Sequence, residues 1–506
     1  MTSLAAGRPG ITFPGAENGD VSTIEDAACT DEQDCETMTI IEGLTYEGVD
    51  WITDMPAERT YADMINLHNL SSFLISHKGR LIYERYFNGN EAGNSHALFS
   101  ATKSYLGLVA ASLVAEGVID EDKLVTEYVP ELGADVSAGG FAEATVRQVM
   151  DMSTSIKANE DITICDITAE LFAAVAAVEE NKTLTSLTDG CEFGLYYPIA
   201  DGLYTLRPEK NDLLFSGQGW PGPNSLKSFL TMVEAGDVAH GERWEYSTPN
   251  TDALAWVVDS ALKIHNDAAD EGDKLPGTAS DYFSEKIWSK IGAGDDFFIT
   301  TDAAGTPGWG RGGSATARDM LRMGEVLARG GKGADGSEVV PLAAVNDIFE
   351  STDEAREHFP DYIEEAAGDS LRGMFPEWSY RSQFRSNNGR ALYMEGFFGQ
   401  FLYVDRDEDL IVVNNGIALN YPAESIDRVL ALAHLSKHFA DGNIPGLSGT
   451  GTEEPGDLTP IPGPNGTGVE EPDDLTPKDT SKASMSRIVG VSTSLLVGLL
   501  VVTLAV

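Results

Sequence analysis

The chain has 506 residues, 42% of them apolar, which is ample for a large core. Its 34 Lys and Arg stand against 81 Asp and Glu, a net charge of −47. That balance excludes a nucleic-acid partner and disfavours acidic membrane surfaces, since both need clustered cations, and it reads as a solvated acidic surface suited to salty surroundings.

Residues 1–45 are rich in Gly, Thr and acid, so a poorly ordered segment is expected there. The opening MTSLAAGRPGITFPG lacks the continuous apolar stretch of a secretory signal. One domain of about 400 residues, 46–443, follows. Its first firm element is SSFLISHKGRLIYERYFNGN, two β-rich runs around His77-Lys78-Gly79-Arg80, which predicts a hairpin. Next comes LFSATKSYLGLVAASLVAEGVID (98–120), a helix opened by Ser100 with Lys103 one turn in. The middle is mostly helical, with helices expected over 251–267 and 315–331. ALYME, QFLYVD and DLIVVNN read as three late strands, followed by a helix around 423–440. Strands at both ends with helices between them predict an α+β fold whose antiparallel sheet is assembled from both ends of the domain.

Residues 444–487 contain the near-repeats EEPGDLTP and EEPDDLTP, an acidic Pro/Gly-rich stalk without apolar periodicity. Residues 488–506 carry no charge and follow Arg487, so the run is long enough to cross a bilayer. A membrane anchor is therefore expected at the C-terminus, with a removable lipid-anchor signal as the alternative. Three glycosylation sequons, at Asn69, Asn181 and Asn465, favour an extracellular or luminal domain, whereas the missing signal favours a cytosolic one; export is the expectation. Cys29, Cys35, Cys165 and Cys191 form no CxxC pair and no His/Cys cluster, so no structural zinc is expected. Two disulfides, Cys29 with Cys35 and Cys165 with Cys191, and unpaired thiols remain open alternatives.

Ser100 has two readings. A helix cap prefers Glu or Gln three residues on, and acids near the positive helix end. Lys103 violates both preferences. Side chains three apart share a helix face, so the amine reaches the hydroxyl and, once its pKa is lowered, activates it as a nucleophile. Ser-x-x-Lys occurs again at Ser260/Lys263, but inside the 251–267 helix, where no helix end assists.

The text around the first pair, SATKSYLGLVAASLVAEGVIDEDKLVTEYVPEL with ATVRQVMDMSTSI, resembles the serine β-lactamase-like hydrolases. HGERWEYSTPNTDALAWVV, KIWSKIGAGDDFFITTDAAGTP and GWGRGGSATARDM are most similar to the 6-aminohexanoate-dimer hydrolase branch. The resemblance runs from about 70 to 440, with an insert near 160–225. It implies a β-lactamase/transpeptidase-like fold and an acyl-enzyme on Ser100. Neither a metal nor an organic cofactor is implied. The tyrosine of the family's Tyr-x-Asn motif matches Tyr246 in YSTPN, so Lys103 and Tyr246 become one proton-transfer pair, the ammonium favouring the phenolate. Tyr86-Phe87-Asn88 fits the same letters but precedes the serine, within the hairpin.

Thr248 stands where the motif's asparagine is usual, and Asn250 two residues on is the candidate for substrate contact, or else a helix cap. The third motif, Lys-Thr-Gly or His-x-Gly, matches EGFFGQFLYVD, so Phe397 replaces the cation while Gly399 persists; Lys290-Ile291-Gly292 fits the letters but lies well upstream. Gly399 reads as a site of close backbone approach to a ligand, or as a strand bulge. By resemblance the N–H groups of Ser100 and Gln400 form the oxyanion hole, and the substrate is a small amide or ester. The rival readings are a D-peptidase or β-lactamase acting on cell-wall-like substrates, and a catalytically silent ligand-binding member.

Overall fold

The computed structural model describes residues 10–15, 32–48, 58–133, 138–158, 160, 197–198, 200–202, 223, 225–351, 377–417 and 423–444. The strands are β1 (Gly10–Phe13), β2 (Thr45–Glu47), β3 (Glu58–Thr60), β4 (Leu70–His77), β5 (Arg80–Tyr86), β6 (His96–Ala97), β7 (Phe297–Thr300), β8 (Gly313–Ala315), β9 (Trp378–Arg381), β10 (Phe384–Asn387), β11 (Ala391–Gly396), β12 (Gln400–Asp405) and β13 (Leu410–Gly416). The principal helices are α1 (Glu32–Gly43), α2 (Tyr61–Leu67), α3 (Ala101–Ala115), α4 (Val146–Met150), α5 (Pro249–Ala268), α6 (Ala317–Ala328), α7 (Leu342–Phe349) and α8 (Ala423–Ala440).

The main sheet has seven antiparallel strands in the order β5-β4-β13-β12-β11-β10-β9. The N-terminal hairpin thus joins the C-terminal meander through β4 and β13, where Ile75 pairs with Val412. The expected α+β architecture is the one observed, with the hairpin turning at Lys78 and Gly79, both at positive φ. Alternate residues of the strands feed two cores. Leu74, Leu402 and Val413 pack beneath α3 and α6, while Phe73, Ile75, Tyr403 and Val412 pack beneath α8 and α2. Burial on both faces explains why β12 and β13 read as near-continuous apolar runs over FLYV and LIVV rather than alternating ones.

Several features differ from the reading of the sequence. β9 and β10 extend the sheet beyond the three late strands expected. β7 and β8, within the region read as mostly helical, join β1 and β6 in a four-stranded sheet of order β1-β7-β8-β6. Two elements fall within residues 1–45: β1 pairs with β7, and α1 packs Met38 and Ile41 into the second core. Phe13 is held because its ring meets Phe283, Phe297 and Trp309 with centroids 5.6, 5.9 and 6.4 Å away. Cys29, Cys165, Cys191, the stalk and residues 488–506 lie outside the described residues, among which no helix is long and apolar enough to cross a membrane.

The β9–β10 turn fixes α3. Ser382 and Gln383 both take positive φ, a shape that drives the turn between helices. Gln383 N donates to Met150 O (3.0 Å), Ser104 Oγ to Gln383 O (2.7 Å) and Thr251 Oγ1 to Gln383 Oε1 (2.7 Å), tying α4, α3 and α5 to one residue. A Cβ on Gly107 of α3 would stand 2.1 Å from the Ser382 carbonyl oxygen. Ala for Gly inside a helix ordinarily gains about 1 kcal/mol. Gly107→Ala is instead expected to lose about 1–3 kcal/mol, the scale of overpacking, read as a lower denaturant midpoint. A higher midpoint would show that the turn yields freely.

Candidate active site

The loop from β6 enters α3 through Phe99 at φ 49°, a left-handed conformation uncommon for a bulky side chain. It is held by packing, for the Phe99 ring meets Phe398 and Phe397 with centroids 5.3 and 6.4 Å away. Ser100 follows in helical conformation (φ −63°, ψ −18°) and makes no side-chain capping bond. Its hydroxyl instead accepts a hydrogen bond from Lys103 Nζ at 3.0 Å, the one-turn contact that the spacing predicts.

Lys103 is 1% exposed on an apolar helix, while Ser100 is half-exposed. Its ammonium also donates to the Gly310 carbonyl at 2.6 Å. Gly310 N donates to Asp252 Oδ1 (3.1 Å), and Tyr197 Oη donates to Asp252 Oδ2 (2.5 Å), so one buried carboxylate anchors the residue whose carbonyl receives the lysine. The glycine is required because a Cβ there would stand 2.4 Å from Tyr197 Oη and 2.5 Å from Thr248 Cγ2. Burial lowers the Lys103 pKa to about 8, against Glu160 and Asp252, whose charges raise it; Arg311 and Arg385 add to the lowering. Burial likewise raises Asp252 to about 6, although bonds from Tyr197 and Gly310 favour its charged form.

Tyr246 reaches the same place from the loop before α5. Lys103 Nζ lies 5.1 Å from its ring centroid, which brings the phenol beside the serine–lysine pair. Desolvation raises its pKa well above the usual tyrosine range, reinforced by Tyr380 and Glu160 and opposed by Arg385 and by the nearby Ser100 hydroxyl. This corrects the expectation of a phenolate: burial outweighs the neighbouring cations, and the phenol keeps its proton at neutral pH. Thr248, in the usual place of asparagine, is buried and donates its backbone N–H to Glu160. Asn250 is corrected too. It is completely buried, its Oδ1 accepting from Thr154 Oγ1 at 2.7 Å, and Thr248 rather than Asn250 holds the N-cap position of α5, without a side-chain capping bond, so Asn250 is neither the cap nor a surface for substrate.

Across from Ser100, Phe397, Phe398 and Gly399 form the turn between β11 and β12, closed by Gly399 N donating to Gly396 O at 3.0 Å. Phe397 is half-exposed, its ring 4.4 Å from Phe398 and near Phe99, an aromatic wall beside the serine. Gly399 is needed for a reason other than a ligand. It has φ +86°, and a Cβ would stand 1.9 Å from Arg428 Nη1. Gln400 begins β12, its side chain donating to Gly416 O at 2.9 Å. Arg385 on β10 sets its guanidinium 5.7, 5.9 and 5.4 Å from the rings of Tyr246, Tyr380 and Tyr393, and pairs with Glu395 at 3.1 Å.

Ser100, Lys103, Tyr246, Phe397, Gly399 and Gln400 are thus assembled from three distant stretches, and Asn250 is set apart. Glu160, Asp252, Gly310 and Arg385 escaped the sequence reading. Only Asp252 carried a signal, as an acid in the first turn of a helix, where the dipole alone accounts for it.

Among known proteins, a β-lactamase family model matches residues 71–182. The chain belongs to the β-lactamase-related family of serine hydrolases. A 6-aminohexanoate-dimer hydrolase from Paenarthrobacter ureafaciens is 30% identical over 345 residues, 68% of this chain and 71% of that protein. A solved structure of a candidate 6-aminohexanoate-dimer hydrolase from Bacillus anthracis superposes with a TM-score of 0.61 at 20% identity, covering 87% of this chain and 92% of that one.

Proposed function

We propose that the protein hydrolyses a small amide or ester through an acyl-enzyme on Ser100. The observation that supports it most is the 3.0 Å bond from a buried, pKa-lowered Lys103 to an uncapped serine hydroxyl. The neutral amine takes the Ser100 proton as Oγ attacks the carbonyl carbon. The oxyanion is met by the backbone N–H groups of Ser100 and Gln400. As the tetrahedral intermediate collapses, the Tyr246 phenol gives its proton to the leaving group and regains one from the Lys103 ammonium. Water then attacks the acyl ester, Lys103 receiving its proton and returning it to Ser100 Oγ as the acid departs. Labelling the full chain with a fluorophosphonate and mapping the adduct tests this reading; an adduct confined to another serine, or none, ends it and favours the silent ligand-binding member.

The aromatic wall suggests the substrate. Relatives that process β-lactams commonly hold the substrate carboxylate with the third-motif cation, a charge-assisted bond of roughly 1.5–3 kcal/mol. Phe397 supplies no charge, and Arg385 is engaged with Glu395. An acyl chain or uncharged ester suits this wall, as does an amide such as the dimer for which the Paenarthrobacter relative is named. A nitrophenyl butyrate is expected to show a much higher kcat/KM than a chromogenic cephalosporin, and Phe397→Lys to narrow the gap. Cephalosporin turnover at or above the ester rate in the unmodified protein would replace this reading with a β-lactamase or D-peptidase.

Residues 488–506 are proposed to tether the domain to a membrane, with the domain on the extracellular or luminal side. Asn69, the one sequon asparagine among the described residues, is exposed in the turn before β4. Deleting 488–506 is expected to release the protein from the membrane fraction with its activity intact, and native-host protein to carry glycan at a sequon. A deletion that stays membrane-bound refutes the tether; unglycosylated active protein refutes the side.

A further inference from the structure

Behind the Phe397–Gly399 turn sits a buried cation that the proposed chemistry does not use. Arg428, on α8, is completely buried. Its Nη1 donates to the Gly399 carbonyl at 2.7 Å and its Nη2 to the His68 carbonyl at 2.6 Å, with Asn414 Oδ1 3.5 Å from Nη1. Nearby acids keep an arginine tolerable here, although Asp427 is already engaged by Tyr46 Oη (2.6 Å), Arg59 (2.8 Å) and His68 Nε2 (2.7 Å). The guanidinium is therefore directed at backbone carbonyls rather than locked to one carboxylate.

The receiving carbonyl matters. Gly399 C=O and Gln400 N–H belong to one peptide unit, and in a trans peptide they point in opposite directions. A guanidinium that holds the oxygen from behind fixes the plane in which the N–H is presented in front. Polarising the carbonyl also makes that N–H a stronger donor, because hydrogen bonds through a peptide reinforce one another. Gly399 is the residue that permits this approach, since any Cβ would overlap Nη1. Gly416, whose Cβ would stand 2.7 Å from Nη2, opens the other side.

We propose that Arg428 is a positioning residue for the oxyanion hole, aligning and polarising the Gly399–Gln400 peptide so that Gln400 N–H meets the developing oxyanion. This rests on the acyl-enzyme reading above and names how that site is held. A merely structural arginine would affect melting but not the strength of hydrogen bonding to a bound acyl group.

The test uses the full chain, its Arg428→Lys and Arg428→Met variants, and a slowly released ester labelled with 13C at the carbonyl. Infrared difference spectra of the acyl-enzyme read hydrogen bonding to the acyl oxygen directly. The expected result is a higher carbonyl stretching frequency in both variants, larger for Arg428→Met. It should be accompanied by a fall in kcat of about tenfold for Arg428→Lys and up to about a hundredfold for Arg428→Met, the scale of losing part or all of one oxyanion donor, with KM nearly unchanged. Thermal melts identify which variants are folded, and Arg428→Lys, which keeps the charge, decides if Arg428→Met does not fold. Folded variants with the parent frequency and kcat overturn the proposal while leaving the acyl-enzyme intact. A parent protein that forms no acyl-enzyme on Ser100 overturns the underlying reading, and this one with it.

Discussion

Replacing Ser100 with alanine is expected to abolish fluorophosphonate labelling and to lower turnover by about a millionfold, the scale of removing a catalytic nucleophile, whereas Ser260→Ala leaves both near the parent values. The two serines share the same Ser-x-x-Lys letters, so the contrast isolates surroundings from motif. At the first pair, the lysine is buried and bonded to the serine hydroxyl. At the second, Lys263 has a side chain 73% exposed and turns to Asp267 at 2.6 Å. Thermal melting of Ser100→Ala near the parent value would show that the loss is chemical. Equal losses at Ser100 and Ser260 would refute the assignment.

Lys103 carries the second large effect. Lys103→Met is expected to slow acylation by about a hundredfold or more, as for loss of a general base. Lys103→Arg should fare no better although it keeps the charge, because a guanidinium does not deprotonate in this range. The reactive form is the neutral amine, so kcat/KM of the parent should rise with pH and level off above about 8, the lowered pKa of this group. Asp252 raises that pKa by favouring the ammonium. Asp252→Asn therefore removes an opposing charge, and the rising limb is expected to move to lower pH. The amide keeps an acceptor for Gly310 N and a donor for Tyr197, so the geometry is conserved. A pH-independent rate in the parent, or a limb that Asp252→Asn moves upward, would contradict Lys103 as the base.

Local patterns were legible because their cause is local. Ser100 and Lys103 meet through helix geometry alone, and the lysine's misfit at a positive helix end marked it as more than surface. The hairpin around Gly79 and the three late strands follow from apolar runs bounded by turn residues. β9 and β10 were missed because their four-residue segments, WSYR and FRSN, alternate too briefly to stand out. β1 was missed because four residues in an acidic, Gly-rich stretch become a strand only through the edge of β7 and the aromatic rings that receive Phe13.

By itself, the sequence determined the α+β class, the order of the sheet-forming segments at the two ends of the domain, the contact of Ser100 with Lys103 and, by resemblance, the placing of Tyr246 beside them. Only the tertiary structure decided how those groups are charged and held. Tyr246 was expected as a phenolate because the nearby cation was visible and the desolvation was not; burial depends on everything packed around a group, and here it dominates. Asn250 was read as a substrate contact or a helix cap, yet its helix turns it inward onto Thr154. Gly399 was read as room for a ligand or as a strand bulge, yet the space belongs to Arg428, a residue 29 positions further along the chain. Asp252 and Gly310 meet at the lysine from 58 positions apart, a contact that no local periodicity encodes, because it is selected by the packing of whole elements rather than by the preferences of neighbours in sequence.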